Sequence, residues 1–310
     1  MRIVRGWRDL EAADRGAAVA FGAFDGVHLG HQQVIRTAMQ RAGRIGATSG
    51  VATFEPDPWR WFHPDDEPFL LTSSAQRARV LAGMGVERLF ILDFDASLAA
   101  LPAEAFARQV LAEGLGVREV VVGFDFRFGA GRTGDPELLA ELGRELGFGV
   151  TVAPPVTGPS GVKLSSTGAR EALQAGEPEA AAAILGRPFA IEGVVVRGRQ
   201  LGRELGFPTA NVALADYVRP RLGIYATRTR LPDGRMVPGV SSIGVNPTVG
   251  EVDARLEVWL FDFDEDLYGQ VIETELLHFL RPELKFEGLE ALTAQVMADA
   301  AEARRRLGLA

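Results

Sequence analysis

Residues 21–31 read FGAFDGVHLGH, and this stretch restricts the first half of the chain more than any other. An apolar run, Ala17 to Phe21, leads into it, and in Gln32 to Ala42 the residues Val34, Ile35, Ala38 and Met39 recur at helical spacing. The pattern predicts a strand, a glycine-rich turn and the start of a helix. Gly22, Gly26 and Gly30 let the backbone approach a ligand, and the helix start offers unpaired N–H groups and a partial positive charge to an anion. His28 and His31, three apart, share one face of that first turn. Imidazoles there can donate to phosphate oxygens while charge builds on a leaving pyrophosphate.

The glycine spacing is neither G-x-G-x-x-G nor a P-loop, so by itself it is a weak signal. Zinc is the competing use of a His pair. The chain has no cysteine, however, and its other two histidines, His63 and His278, lie far away without ligand spacing. The H-x-G-H pattern in a strand–turn–helix context is more specific: it resembles the signature of the nucleotidyltransferase superfamily, whose members transfer AMP or CMP from a nucleoside triphosphate.

A chain of 310 residues, 47% of them hydrophobic, suffices for two ordinary domains with real cores. The formal charge of -8 argues against nucleic-acid and membrane-surface partners, which would repel an acidic protein. The lack of cysteine permits a reducing compartment, no apolar run is long enough to span a membrane, and Met1-Arg2-Ile3 begins no signal peptide. The reading is a soluble cytoplasmic protein.

Beyond the opening unit, strands are predicted at Ser49 to Phe54, Arg88 to Asp93, Glu119 to Gly123 and Gly149 to Ala153. Helices are predicted from Thr72 or Ser73 to Met84, from Pro102 to Glu113 and from Pro136 to Gly147, and Trp59 to Pro68 reads as a loop. Strands alternating with helices imply a mostly parallel sheet covered on both faces, with ligands at the carboxyl ends of its strands. Ser165, Ser166 and Thr167 precede a helix carrying Arg170, which is either a second anion site or a plain N-cap with a surface arginine. After an Ala-rich helix, Pro178 to Leu185, the period changes. Short strand-like segments at Ala190 to Val196, Ile224 to Leu231, Met236 to Gly244, Arg255 to Phe261 and Val271 to Phe279, then a helix from Gly288 to about Leu307, imply a small antiparallel barrel. The expected division is 1–185 and 186–310.

Gly198 to Asn211 reads GRQLGRELGFPTAN, ending in two neutral oxygen donors, Thr209 and Asn211, two residues apart. In extended backbone both point to one side. Such donors suit a magnesium ion whose charge substrate phosphates balance, and Gly202 and Gly206 allow the backbone to close over those phosphates. A mobile hairpin loop is the plainer reading. Glu257 sits mid-strand, alternating with Leu256 and Val258; burial there would raise its pKa and make it a better base for a substrate hydroxyl, whereas on an edge strand it is only a surface carboxylate.

Taken together, FGAFDGVHLGH, TFEPDP, GFDFRFG with GRTGD, LSSTGAR, LGRPF, GRELGFPTAN, GIYA, IGVNPT, LEVWLFDFDEDLYG and LRPELKF occur in the order of one family. Over nearly its whole length the chain resembles the bifunctional riboflavin kinase/FMN adenylyltransferases, the prokaryotic FAD synthetases. The resemblance implies an N-terminal Rossmann-like nucleotidyltransferase domain and a C-terminal six-stranded antiparallel β-barrel kinase domain with a terminal helix. It implies riboflavin, ATP, FMN and FAD as substrates and products, with Mg2+. It assigns His28 and His31 to the ATP phosphates of adenylyl transfer, with Gly22, Phe24, Asp25, Gly30, Asp125, Ser166, Thr167 and Arg170 as further nucleotide contacts. On the kinase side it assigns Gly202, Arg203, Gly206, Thr209 and Asn211 to the magnesium nucleotide and Glu257 as base. Asp57 stands where the family commonly has His, Gly168-Ala169 replaces a bulkier pair, and Trp259 stands where His often follows Glu-Val. Two other readings are a kinase with an inactive first domain and a flavin-binding protein without turnover; a riboflavin and ATP assay separates them.

Overall fold

The computed structural model describes residues 1–158, 161–198, 206–248 and 251–309, without side chains for 246–253. The chain forms two compact units, Met1–Asp66 with Ser74–Leu164, and Glu67–Ser73 with Ser165–Ala310.

The first unit is a six-stranded parallel sheet: β1 (Arg2–Arg5), β2 (Ala18–Phe21), β3 (Ser49–Glu55), β4 (Arg88–Asp93), β5 (Glu119–Gly123) and β6 (Gly149–Ala153). Their order is β1-β4-β3-β2-β5-β6. Alternate residues of the central strands enter opposite cores, as a sheet buried on both faces requires. Val19, Phe21, Val120 and Val122 face a helix that is α over Ala103–Ala105 and π over Phe106–Leu115 (together α5), and α6 (Pro136–Leu146). Ala20 and Val121 face α1 (Leu29–Ile45) and α3 (Ser74–Gly83). From β2 the strand order runs to β3 and β4 on one side and to β5 and β6 on the other. The turn after β2 therefore lies where the order reverses, the place where open parallel sheets bind ligands.

In this unit three details differ from the sequence reading. The edge strand β1 was not predicted, the stretch read as a loop opens with the short helix α2 (Pro58–Phe62), and another short helix, α4 (Ala96–Ala99), precedes α5. Asp57 caps α2, its Oδ1 accepting the Trp59 N–H at 2.9 Å.

The second unit is a barrel of six antiparallel strands: β7 (Phe189–Val194), β8 (Ala210–Ala213), β9 (Gly223–Arg230), β10 (Met236–Thr248), β11 (Glu251–Leu260) and β12 (Val271–Arg281), ordered β7-β12-β9-β10-β11-β8. A bridge in which the Val196 N–H donates to the Asn211 carbonyl at 2.9 Å links the two ends of the sheet. Leu256, Val258, Tyr225, Ile243, Ile272 and Leu276 fill the interior. Each such apolar side chain stabilises the fold by about 1.5–3 kcal/mol. Two helices, α7 (Ser166–Ala175) and α8 (Pro178–Leu185), bury Ala169, Leu173, Ala181 and Leu185 in this same core. The terminal helix α9 (Leu289–Arg306) packs Ala300 and Ala303 against Ala226, Val240 and Phe261 on the outer wall. Its Asp299 takes a bidentate pair from Arg281, at 2.8 and 2.6 Å.

Candidate active sites

The turn after β2 is tightly bent. Phe24 (φ 54), Gly26 (φ 80) and Val27 (φ 41) all lie in the left-handed region. For Phe24 and the β-branched Val27 this costs about 1–3 kcal/mol each, a strain that persists only where the surroundings enforce it. Phe24, Asp25 and Val27 are buried. His28 follows as the N-cap of α1, and its Nδ1 accepts the His31 N–H at 3.2 Å. In the neutral ring an accepting Nδ1 leaves the proton on Nε2, so Nε2–H is the donor this imidazole can offer. The rings of His28 and His31 stack at 3.6 Å, and Phe24 meets His31 edge-on at 5.2 Å. Gly30 makes the stacking possible: a Cβ there would stand 2.8 Å from His28 Cε1 and 3.0 Å from Nδ1. The turn thus brings together Phe24, Asp25, His28, Gly30 and His31 beyond the carboxyl end of β2, with Gly22 at its entry, where a Cβ would meet the Phe24 ring at 3.2 Å.

Asp125, after β5, is half exposed and pairs with Lys163, whose ammonium lies 4.8 Å from the ring of Phe124. Ser166, Thr167 and Arg170 belong to the second unit. Ser165 caps α7 through the Gly168 N–H at 3.2 Å; Ser166 opens the helix, and Thr167 is exposed. Arg170 donates Nε to the Phe69 carbonyl at 2.7 Å and lies over the Phe69 ring. The Gly168-Ala169 pair sits inside this capped first turn, with Ala169 fully buried.

In the barrel, strand pairing brings the remaining candidates together. Glu257 on β11 stands in register with Asn211 on β8 and with Ser242 on β10. Cross-strand partners share a face, so Glu257 and Asn211 lie on the outer side of the wall whose inner side carries Leu256 and Val258. Asn211 is buried, and Glu257 is half-buried. Two cavities meet at Thr209. One, about 430 Å³, is lined by Thr209, Asn211, Gly198, Asp264, Asp266 and Tyr268. The other, about 310 Å³, is lined by Thr209, Glu257, Ser242, Trp259, Arg281 and Phe286, with Leu292 and Val296 of α9 on its far side. Both volumes suit small-molecule ligands. Gly206 (φ 90) adopts backbone that favours glycine. Gly202 and Arg203 lie outside the described residues.

Sequence reasoning missed Gly198, Thr53 and Arg77. A Cβ on Gly198 would come within 2.7 Å of the Asn211 carboxamide, so only glycine lets this backbone lie against that side chain. Thr53 and Arg77 both hold the Ala23 carbonyl, at 2.8 and 3.0 Å. In the sequence they read as an ordinary strand threonine and a helix-surface arginine.

These features define a nucleotidyltransferase-type α/β domain followed by a kinase-type antiparallel barrel. Comparison with known proteins agrees: the FAD synthetase family matches residues 10–168 and the riboflavin kinase family residues 185–307. The bifunctional riboflavin kinase/FMN adenylyltransferase of Pseudomonas fluorescens is 42% identical over 98% of this chain and 97% of its own. That of Escherichia coli K12 is 40% identical over 100% and 99%. A crystal structure described as a macrolide-efflux protein from Streptococcus pneumoniae is 31% identical, covers 98% of each chain and superposes with a TM-score of 0.86. Among the described residues no helix is long and apolar enough to cross a membrane. The chain belongs to the bifunctional riboflavin kinase/FMN adenylyltransferase family.

Proposed function

We infer that this chain makes both flavin cofactors: it phosphorylates riboflavin with ATP to FMN, then adenylylates FMN with a second ATP to FAD and pyrophosphate. The observation that carries this is the match of the two enzyme families to successive parts of one chain, at residues 10–168 and 185–307. Functionally we divide the chain into 1–185 for adenylyl transfer and 186–310 for the kinase.

For the kinase step, the terminal ribityl hydroxyl of riboflavin attacks the γ-phosphorus of ATP, the bond to the β-phosphate oxygen breaks, and Glu257 takes the hydroxyl proton. The register of Glu257 with Asn211, and the cavity that Glu257 shares with Thr209, support this role. A base so placed contributes about 10²–10⁴-fold. Magnesium fits the neutral oxygens of Thr209 and Asn211, which line one cavity. Held there with the nucleotide, it would neutralise charge on the phosphates. Gly202, Arg203 and Gly206 belong to the segment that we propose closes over those phosphates.

For adenylyl transfer, a phosphate oxygen of FMN attacks the α-phosphorus of ATP and pyrophosphate leaves. This nucleophile is already an anion and needs no base. His28 and His31 stabilise the charge that develops on the departing phosphates, His28 through Nε2–H, and backbone N–H groups at the start of α1 add to the same field. Gly22, Phe24, Asp25, Gly30 and Asp125 shape the nucleotide side of this site, and the family resemblance assigns Ser166, Thr167 and Arg170 to the same reaction. The acidic, cysteine-free chain suits the cytoplasm, where ATP is supplied, with small molecules rather than nucleic acid or membrane as its partners. Incubation of the purified chain with riboflavin, ATP and magnesium, followed by separation of the flavins, should yield FMN and then FAD. Accumulation of FMN alone refutes the adenylyl step, and flavin binding without ATP consumption refutes both.

A further inference from the structure

Arg77 is a charged side chain in a place where charge is costly unless partnered: it is 6% exposed, on the sheet-facing side of α3. Its Nη1 donates to the Ala23 carbonyl at 3.0 Å, and the hydroxyl of the fully buried Thr53 donates to the same oxygen at 2.8 Å. Ala23 is the last residue before the positive-φ turn Phe24 to Val27. The two donors thus hold the peptide plane that sets the direction in which this strained turn leaves β2. Strained backbone keeps its conformation only when neighbours over-determine it, and these two hydrogen bonds come from separate elements, β3 and α3.

We propose that Arg77 is a positioning residue for adenylyl transfer: together with Thr53 it locks the Ala23 carbonyl, so that the turn and the His28 at its end keep the geometry that receives the triphosphate. This rests on the reading of residues 21–31 as the adenylyl site. The charge arrangement agrees with it. Burial disfavours the charged guanidinium, and Asp25, Asp57 and Glu55 oppose that by stabilising it. Glu55 is held in turn by Ser74 at 2.5 Å and Arg5 at 2.9 Å. Asp57, the residue found where the family commonly has His, is thus one of the carboxylates that stabilise this buried cation on α3.

The test uses the full-length chain and both reactions. Arg77→Met keeps most of the volume and removes the charge and donors, whereas Arg77→Lys keeps the charge and one donor. Thr53→Val and Thr53→Ser separate the hydroxyl from the shape. With supplied FMN and ATP, Arg77→Met should lower the adenylyl kcat about 100-fold, the effect of a misplacement of about 1 Å, with little change in KM. Thr53→Val should lower it about tenfold, the worth of one hydrogen bond. Lys and Ser should restore most of the loss, and riboflavin phosphorylation on the same preparations should be unchanged. The proposal is overturned if Arg77→Met keeps the wild-type adenylyl kcat, if Lys and Met behave alike, or if both activities and the thermal midpoint fall together, the mark of a merely structural role. Failure of the wild-type chain itself to convert FMN to FAD would instead overturn the site assignment beneath it.

Discussion

Gly30→Ala isolates the part that the stacked histidines play. A methyl group at this position would stand 2.8 Å from His28 Cε1 and 3.0 Å from Nδ1. Ordinary carbon contacts are about 3.5–4.0 Å, so the ring must move by roughly 0.7–1 Å. It has little room, because His28 is 5% exposed and stacked on His31. Two stability effects oppose each other. Losing the Nδ1 cap to the His31 N–H costs about 0.5–2 kcal/mol, and replacing a helical glycine by alanine returns about 0.5–1 kcal/mol. The net loss is therefore about 1.5 kcal/mol at most, a shift of a few degrees in Tm. Activity should respond far more: a displacement of this size lowers adenylyl kcat about 100-fold, equivalent to about 2.7 kcal/mol of transition-state stabilisation. FAD and pyrophosphate formation from supplied FMN and ATP measures this, with riboflavin phosphorylation by the same preparation as the control. Full adenylyl activity with an unchanged Tm would refute the reasoning, and so would equal loss of both activities.

Gly198→Ala is the corresponding change in the barrel. Its methyl group would displace the Asn211 carboxamide, lowering riboflavin phosphorylation about 10–100-fold while FAD formation from supplied FMN persists; an unchanged kinase rate would contradict it. Alkaline stability offers a test of the barrel core. Burial pushes the Tyr217 phenol up to about 12, and burial also raises Tyr225. Both are neutral in the fold, so their contribution is complete below the ordinary phenol value of about 10 and is lost as pH rises from there through the folded-state values. Thermal midpoints measured across this alkaline range should fall for the wild-type chain and fall less for Tyr217→Phe with Tyr225→Phe; identical declines would contradict the assignment.

The sequence carried most of the strands of the sheet and of the barrel, because these elements have strong periodicity and clear turn signals. It concealed what tertiary pairing decides. Arg2–Arg5 holds a single buried residue, Val4, and becomes a strand only because β4 pairs with it. Ala210–Ala213 is too short to stand out after Pro208 and is held by β11 and the Val196 bridge. Pro58–Phe62 follows Pro56, starts on a second proline and is rich in exposed aromatics, so it reads as a loop although Asp57 caps it. The helices at Ser166–Ala175 and Pro178–Leu185 were legible, but not which core they join. Ala169, Leu173, Ala181 and Leu185 lie in the barrel core. At the candidate sites His28, His31, Thr209, Asn211 and Glu257 announced themselves by motif. Arg77, Thr53 and Gly198 touch a backbone carbonyl or a neighbouring amide and leave no local pattern.

The central claim is that one chain carries two independent phosphate-transfer sites. The measurement that tests it most directly is a crossed assay of Glu257→Ala and of His28→Ala combined with His31→Ala, each incubated with ATP and magnesium and given either riboflavin or FMN. Glu257→Ala should lose FMN formation yet still convert supplied FMN to FAD, and the double histidine variant should form FMN and stop there. Loss of both reactions in either variant, with the fold intact, would contradict the account.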